Sequence, residues 1–221
     1  MADQQQSPIN IHNAIYADFG SEGLSIPWAE HKEAVSCRVH KDHHGVKVEF
    51  ASDERIFIKI GEKPFHLRQF HFHHPSEHWF DGKQHTLELH LVHENVDDGS
   101  KAVIGVFINV VDDADSLFPS LMTQADTILG TDTCKELECN ASTNLRDFLP
   151  TTWKQHYRYH GSLTTPPYTE NVSWVVVKDP LQMPVPIKLL ELFRSEARFP
   201  QPLNRRFILK TFDAPKSLKT I

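Results

Sequence analysis

Apolar and polar residues alternate with a period of two along most of this chain, so strands rather than helices carry its organisation. Residues 35–39 alternate, as do Val46, Val48 and Phe50 with Lys47 and Glu49. Between them Lys41, Asp42, His43, His44 and Gly45 form a polar turn whose glycine suits the positive φ of a hairpin. Residues 55–60 alternate again. Residues 69–73 place Gln69, His71 and His73 on one face and Phe70 and Phe72 on the other. In 86–92 the leucines 87, 89 and 91 oppose Glu88, His90 and Val92. Residues 102–111 are a continuous apolar run, the pattern of a central strand covered on both faces. Residues 157–162 and 172–177 read as strands flanking Leu163, Thr164, Thr165, Pro166 and Pro167. Pro8 disfavours helix at Ser7, so residues 6–11 read as an extended lead-in. Helical spacing is confined to 116–129, with Leu117, Leu121, Ala125 and Ile128 on one face and Pro119 imposing a late start or standing in the first turn, and to 187–195. No repeat, low-complexity segment or linker interrupts the chain. The expectation is one mainly β (α+β) domain over 1–221 with a few short peripheral helices.

Composition narrows the function more than the fold. At 221 residues, 39% of them hydrophobic, the chain is long enough for one sizeable core. Its net charge of −6, with Lys and Arg scattered, excludes the basic footprint of a nucleic-acid binder. No apolar run approaches the roughly 18 residues of a membrane span, and the first residues lack the basic and apolar regions of a signal peptide. A soluble protein with no membrane partner is expected. Cys37, Cys134 and Cys139 lack metal-knuckle spacing; reduced thiols are the simpler reading, with a local Cys134–Cys139 pair left open. The anomaly is fifteen histidines.

Three of those histidines make a pattern. A single His-x-His pair such as His71 and His73 is more often incidental than metal-binding. An antiparallel pairing of 69–73 with 86–92 adds His90 as a third imidazole on the same face. Three neutral imidazoles with an open fourth position are the arrangement of a catalytic zinc, because a closed four-ligand site leaves no room for water or substrate. Gln69 and Glu88 each precede a candidate ligand by two residues, at the parity that lets them accept the other ring N–H. Taken alone, both are equally ordinary strand polars.

Gln69-Phe70-His71-Phe72-His73, Pro75-Ser76-Glu77-His78, the run from Glu88 to His93 and the run from Gly161 to Pro167, in this order, resemble the α-class carbonic anhydrases. The likeness extends from Gln6, Ser7, Pro8, Ile9 and Asn10 to Gln201, Pro202, Leu203, Asn204 and Arg205. The short loop holding Pro75 to His78 is more similar to bacterial members. The resemblance implies a large, mostly antiparallel twisted sheet with Zn2+ at the bottom of a conical cleft. It implies reversible hydration of carbon dioxide to bicarbonate and a proton by zinc-bound hydroxide. His71, His73 and His90 correspond to the zinc ligands, braced by Gln69 and Glu88. Thr164 corresponds to the threonine that accepts a hydrogen bond from that hydroxide, and Glu77 to the carboxylate that orients it. Val92, Val103, Leu163 and Trp174 correspond to the apolar wall that receives carbon dioxide, with Thr165 beside them. His44 corresponds to the proton shuttle, with His43 adjacent.

The chain also departs from the family pattern. An aromatic-rich segment ahead of Gln6 is nearly absent, Lys47 replaces a polar residue at the cleft rim, and Tyr168 stands where many secreted members carry a cysteine. With Tyr168 in that place the family disulfide cannot form, and this together with the lack of a signal peptide suggests a cytoplasmic protein; family habit suggests a periplasmic or secreted one with its leader removed. A monomer or homodimer acting on a small molecule is expected. A carbonic anhydrase-like binding domain without catalysis competes with this reading, but such domains usually lack one or more zinc histidines, and all three are here. A zinc hydrolase finds no His-Glu-x-x-His helix.

Overall fold

In the computed structural model the apolar run becomes the strand Lys101–Val110. Its alternate residues serve two cores, Ala102, Ile104, Val106 and Ile108 facing one and Val103 and Phe107 the other. The structure describes residues 4–30, 34–42, 45–51, 55–111, 137–185, 190 and 197–214.

This strand lies inside a large mixed sheet whose order runs Leu137–Thr143, Val35–Asp42, Gly45–Glu49, Lys63–His73, Leu87–Glu94, Lys101–Val110, Glu170–Val177, His156–Ser162, Leu209–Lys210, Ile15–Tyr16. Most neighbours are antiparallel. Parallel pairs join Lys101–Val110 to Glu170–Val177 and to Leu181–Met183, and Leu209–Lys210 to Ile15–Tyr16. The strands expected from alternation are present within a few residues of their expected limits. Described helical structure is limited to the short 3₁₀ segments Gly20–Glu22, Pro27–Glu30 and Leu145–Phe148, and to Leu190. The helices expected at 116–129 and 187–195 lie outside the described residues, Leu190 excepted. So do Cys134 and the turn histidines His43 and His44. Cys37 is buried and outside any disulfide. No described helix is long and apolar enough to cross a membrane.

The larger core lies on the face formed by Phe70, Phe72, Leu87, Leu89, Leu91, Ile104 and Val175, closed by Phe148 and Trp153. The opposite face carries the polar residues of the two histidine strands, and its smaller core gathers Val92, Val103, Val172, Trp174, Tyr159 and Ile9. Because side chains alternate across a strand, one pairing register sends leucines to one side and histidines to the other. The loop between the histidine strands turns back at Asp81 and Gly82, both at positive φ, with Phe80 and Lys83 exchanging backbone bonds of 2.8 and 3.0 Å. That is a type I′ turn, which an Asp-Gly pair favours.

Two buried histidines away from the polar cluster give the fold an acid sensitivity. His156 donates from Nδ1 to the Trp153 carbonyl at 3.2 Å, and burial pushes its pKa down to about 4. His93 donates to the Leu91 carbonyl at 3.0 Å, stacks over Trp28 and is pushed down to about 3 by burial. An unfolded histidine titrates near 6.5, so between the folded and unfolded values the unfolded chain binds more protons and stability falls as pH falls. Each group contributes at most about 1.4 kcal/mol per pH unit in that window. We expect the difference in urea-unfolding free energy between wild type and His156→Gln to shrink or reverse as pH is lowered from 6.5 to 4. A pH-independent difference would show that His156 takes up no proton on unfolding.

Candidate metal centre

The histidine strands pair with His71 directly opposite His90 and His73 opposite Glu88. The ligand nitrogens of His71, His73 and His90 come within 4.8 Å of one another. Their ring centroids stand 4.6 to 5.3 Å apart. His71 Nδ1 lies 2.8 Å from Gln69 Oε1; an amide oxygen only accepts, so Nδ1 carries the hydrogen and Nε2 the lone pair. His90 is turned the other way, with Nε2 2.9 Å from Glu88 Oε1, so that Nδ1 faces the cluster. Burial pushes His71 to about 3 and His73 well below the ordinary histidine value, which keeps both neutral. In His90 burial also disfavours charge, but the Glu88 carboxylate outweighs it and raises the pKa. A metal cation held at Nδ1 would displace the proton there and leave Nε2–H directed at Glu88. Three imidazoles suit zinc and other borderline metals of the first transition row, and the donor set present fits such an ion.

Glu88 organises what surrounds the cluster. It is fully buried. Its Oε2 accepts from the backbone N–H groups of Glu77 at 2.9 Å and His78 at 2.8 Å. Its Oε1 accepts from His78 Nδ1 at 2.6 Å and faces His90 Nε2. Burial alone would raise this carboxyl, but the attraction of His78 and His90 prevails and holds it well below the carboxylate range. The room for it is made by Gly105, where a Cβ would sit 3.0 Å from Oε1.

From Glu88 the bonding runs outward. His78 Nε2 meets the Tyr159 hydroxyl at 2.6 Å, which donates to Ser7 Oγ at 2.9 Å. Ser7 N–H donates to Ser162 Oγ and Ser162 N–H to Ser7 Oγ. A Cβ at Gly161 would collide with Ser7 Oγ, so glycine is required for this approach. Ser162 also presents its carbonyl to Trp174 Nε1 at 3.0 Å.

Glu77 closes the cluster from the loop. Its Oε2 lies 3.4 Å from His73 Nε2 and 3.9 Å from His90 Nδ1, and its Oε1 accepts from the Arg198 N–H at 3.1 Å. Burial raises its pKa, and His90, the hydrogen-bonding Thr164 hydroxyl and Arg198 only partly reverse the shift. Beside these groups opens a cleft of about 250 Å³. Gln69, His71, His90, Val92, Val103, Leu163, Thr164, Thr165 and Trp174 line it, together with Arg68, Glu94 and Lys101. His73 and Glu77 are buried behind it. Every expected site residue except His44, which lies outside the described residues, therefore gathers around one cleft. Sequence reading did not single out Tyr159, Ser7 and Ser162, nor His78 as more than part of a motif. Nothing local announces a bond between residues 155 positions apart.

Residues 1–212 match the family model described as eukaryotic-type carbonic anhydrase. The chain belongs to this family. It is a carbonic anhydrase, a lyase whose small-molecule substrate is carbon dioxide or bicarbonate. It is 35% identical to a carbonic anhydrase of Nostoc sp., over 94% of this chain and 76% of that one. It is 32% identical to carbonic anhydrase 7 of Mus musculus, over 95% and 89% respectively. Among solved structures it is similar to the α-carbonic anhydrase of Photobacterium profundum, at 30% identity and TM-score 0.74 over 93% of this chain and 88% of that one. The α-carbonic anhydrase of Thermovibrio ammonificans, solved with the inhibitor sulfanilamide, is 32% identical with a TM-score of 0.74, over 93% and 87%.

The outward network makes Tyr159→Phe informative. It deletes one oxygen from a buried site and leaves His78 Nε2 and Ser7 Oγ without that partner, a defect that costs about 1–3 kcal/mol. Urea unfolding should show a loss of this size with little change in the denaturant slope. A loss below about 0.5 kcal/mol, the level of an ordinary surface change, would show the hydroxyl to be idle.

Proposed function

We propose that this carbonic anhydrase is a zinc enzyme in which His71, His73 and His90 hold the metal and His44 carries protons between cleft and solvent. The observation that carries the reading is the convergence of the three imidazoles within 4.8 Å beside a cleft with an apolar wall. When bound, zinc acidifies its water so that hydroxide is available near neutral pH, behaviour established for carbonic anhydrases as a class.

The chain's own residues have distinct tasks in this scheme. Gln69 and Glu88 fix which nitrogen of His71 and His90 points inward. Glu77 accepts a hydrogen bond from the Thr164 hydroxyl, which leaves the threonine oxygen as an acceptor facing the cleft. A nucleophile donating its hydrogen to that oxygen has its lone pair aimed away from Thr164. Val92, Val103, Leu163 and Trp174 offer carbon dioxide a surface without hydrogen-bond partners, from which the charged bicarbonate leaves readily. His44 belongs to the polar sequence 41–45, and an imidazole, which ordinarily titrates near neutrality, suits the task of accepting the proton released in each cycle. By the same reading a primary sulfonamide, such as the inhibitor bound by the Thermovibrio relative, binds at the metal.

His90→Ala tests the ligand set. Two strand imidazoles cannot maintain a tetrahedral site, so the variant should lose most of its zinc by elemental analysis and most of its hydration activity in stopped flow. Stoichiometric zinc with near-normal hydration would rule out His90 as a ligand.

His44→Ala separates proton export from metal binding. Zinc content should stay at wild-type level while turnover falls in dilute buffer and recovers on addition of imidazole, a diffusible base. A deficit that persists in concentrated buffer would assign His44 another role.

A further inference from the structure

Thr164 and Thr165 reach the cleft from the loop 163–169, between the strands His156–Ser162 and Glu170–Val177. Two backbone bonds give this loop its shape. Leu163 N–H donates to the Thr169 carbonyl at 2.9 Å, and Tyr168 N–H to the Thr165 carbonyl at 2.8 Å. Both lie within the loop, so neither fixes where Thr164 stands relative to Glu77. Tyr168 sits at φ 59°, a conformation that a bulky side chain rarely adopts. Strain of this kind persists where surrounding contacts over-determine it, and it gathers at functional sites.

The group packed on Tyr168 is a guanidinium. Arg198 Cζ lies 3.8 Å from the centre of the tyrosine ring. The same guanidinium donates to Gln6 Oε1 at 2.9 Å and to the Ser7 carbonyl at 2.7 Å. Gln6 Nε2 in turn donates to the Tyr168 carbonyl at 3.2 Å and to Glu170 Oε1 at 2.9 Å. A planar guanidinium stacks on a ring by its face and donates from its edge, whereas an ammonium has no face. The backbone of Arg198 has a separate task, since its N–H donates to Glu77 Oε1 at 3.1 Å. One residue therefore holds both partners of the Thr164–Glu77 hydrogen bond, the carboxylate by its main chain and the threonine loop by its side chain.

We infer that Arg198 and Tyr168 are positioning residues for the hydration reaction: their stack sets the place of Thr164 against Glu77, and with it the acceptor offered to the nucleophile. The inference rests on the role given to Thr164 above.

The test combines kinetics and amide exchange on the zinc-loaded full-length protein. Tyr168→Asn removes the ring but supplies a residue that tolerates positive φ. It should hold zinc as the wild type does by elemental analysis. Its kcat/KM for carbon dioxide hydration, measured by stopped flow in concentrated buffer, should fall about 3- to 10-fold. Exchange of the Leu163 amide should quicken by a similar factor as the loop loosens. Tyr168→Phe keeps the stack and should restore both readouts to near the wild-type values. Thr164→Ala should lower kcat/KM at least as much. In that background Tyr168→Asn should change it by less than about 2-fold, because residues that act through one contact are not additive. Equal losses from Tyr168→Asn in both backgrounds, or no loss in the wild-type background, would overturn the positioning role and leave that of Thr164 standing. Wild-type activity in Thr164→Ala would overturn both. Should Tyr168→Asn fail to fold, Arg198→Lys, which keeps the charge and loses the planar face, is judged by the same outcomes.

Discussion

The structure depends on a carboxylate buried where no water reaches it. Taking Glu88 out of water costs several kcal/mol even after the protein relaxes. Hydrogen bonds to a charged acceptor return roughly 1.5–3 kcal/mol each, so one or two would leave a deficit. Glu88 has three donors of 2.6 to 2.9 Å and a fourth contact with His90, matching the four lone-pair positions of a carboxylate. The attraction decides the outcome, and the group stays ionised. In doing so it fixes three things together: the ring orientation of His90, the path of the loop at Glu77 and His78, and the placement of His78 against Tyr159. Removing any one donor leaves the remaining charge under-compensated, so the arrangement is nearly all-or-none.

Around this group the sheet acts as a sorting device. A single antiparallel register between the two histidine strands directs Leu87, Leu89 and Leu91 to the larger core and Glu88, His90 and Val92 to the cleft side. The adjacent strand continues the sorting, with Val103 beside Val92 and Gly105 beside His90. Where alternation would have placed a side chain wrongly, the register slip between Leu67 and Gln69, which brings Arg68 to the cleft, or an absent side chain at Gly105 corrects it. The apolar wall and the polar cluster thus come from one lattice of strand positions rather than from separate loops.

Much of this was readable from residue order because period-two alternation is a local signal. His71, His73, Gln69, Glu88 and His90 declare their face through the residues on either side of them, and the loop 74–86 that joins the two strands brings them back antiparallel. The strand at 102–111 was legible for a related reason, since an unbroken apolar run has to be covered on both faces. The resemblance to a known family then gathered Thr164, Glu77 and Trp174, which periodicity alone could not bring together. Ser7 and Ser162 gave no such signal, being serines in segments whose meeting depends on the closed sheet. Arg68 was illegible for the opposite reason: strict alternation assigns it to the wrong face, and a bulge leaves no mark in composition.

The bonds between Ser7 and Ser162 also bear on the order in which the protein can assemble. Both histidine strands and their loop are contained within residues 63–94, so the three imidazoles can meet early, across a short loop whose closure entropy is small. The Tyr159, Ser7 and Ser162 bonds that steady His78 instead join the first residues to a strand more than 150 positions away. While the chain is still being synthesised, no length short of Ser162 can form them. Contacts of such separation are slow to form. A growing chain in which the two histidine strands have paired still lacks the outer support of His78 until the segment around Ser7 docks against the strand His156–Ser162.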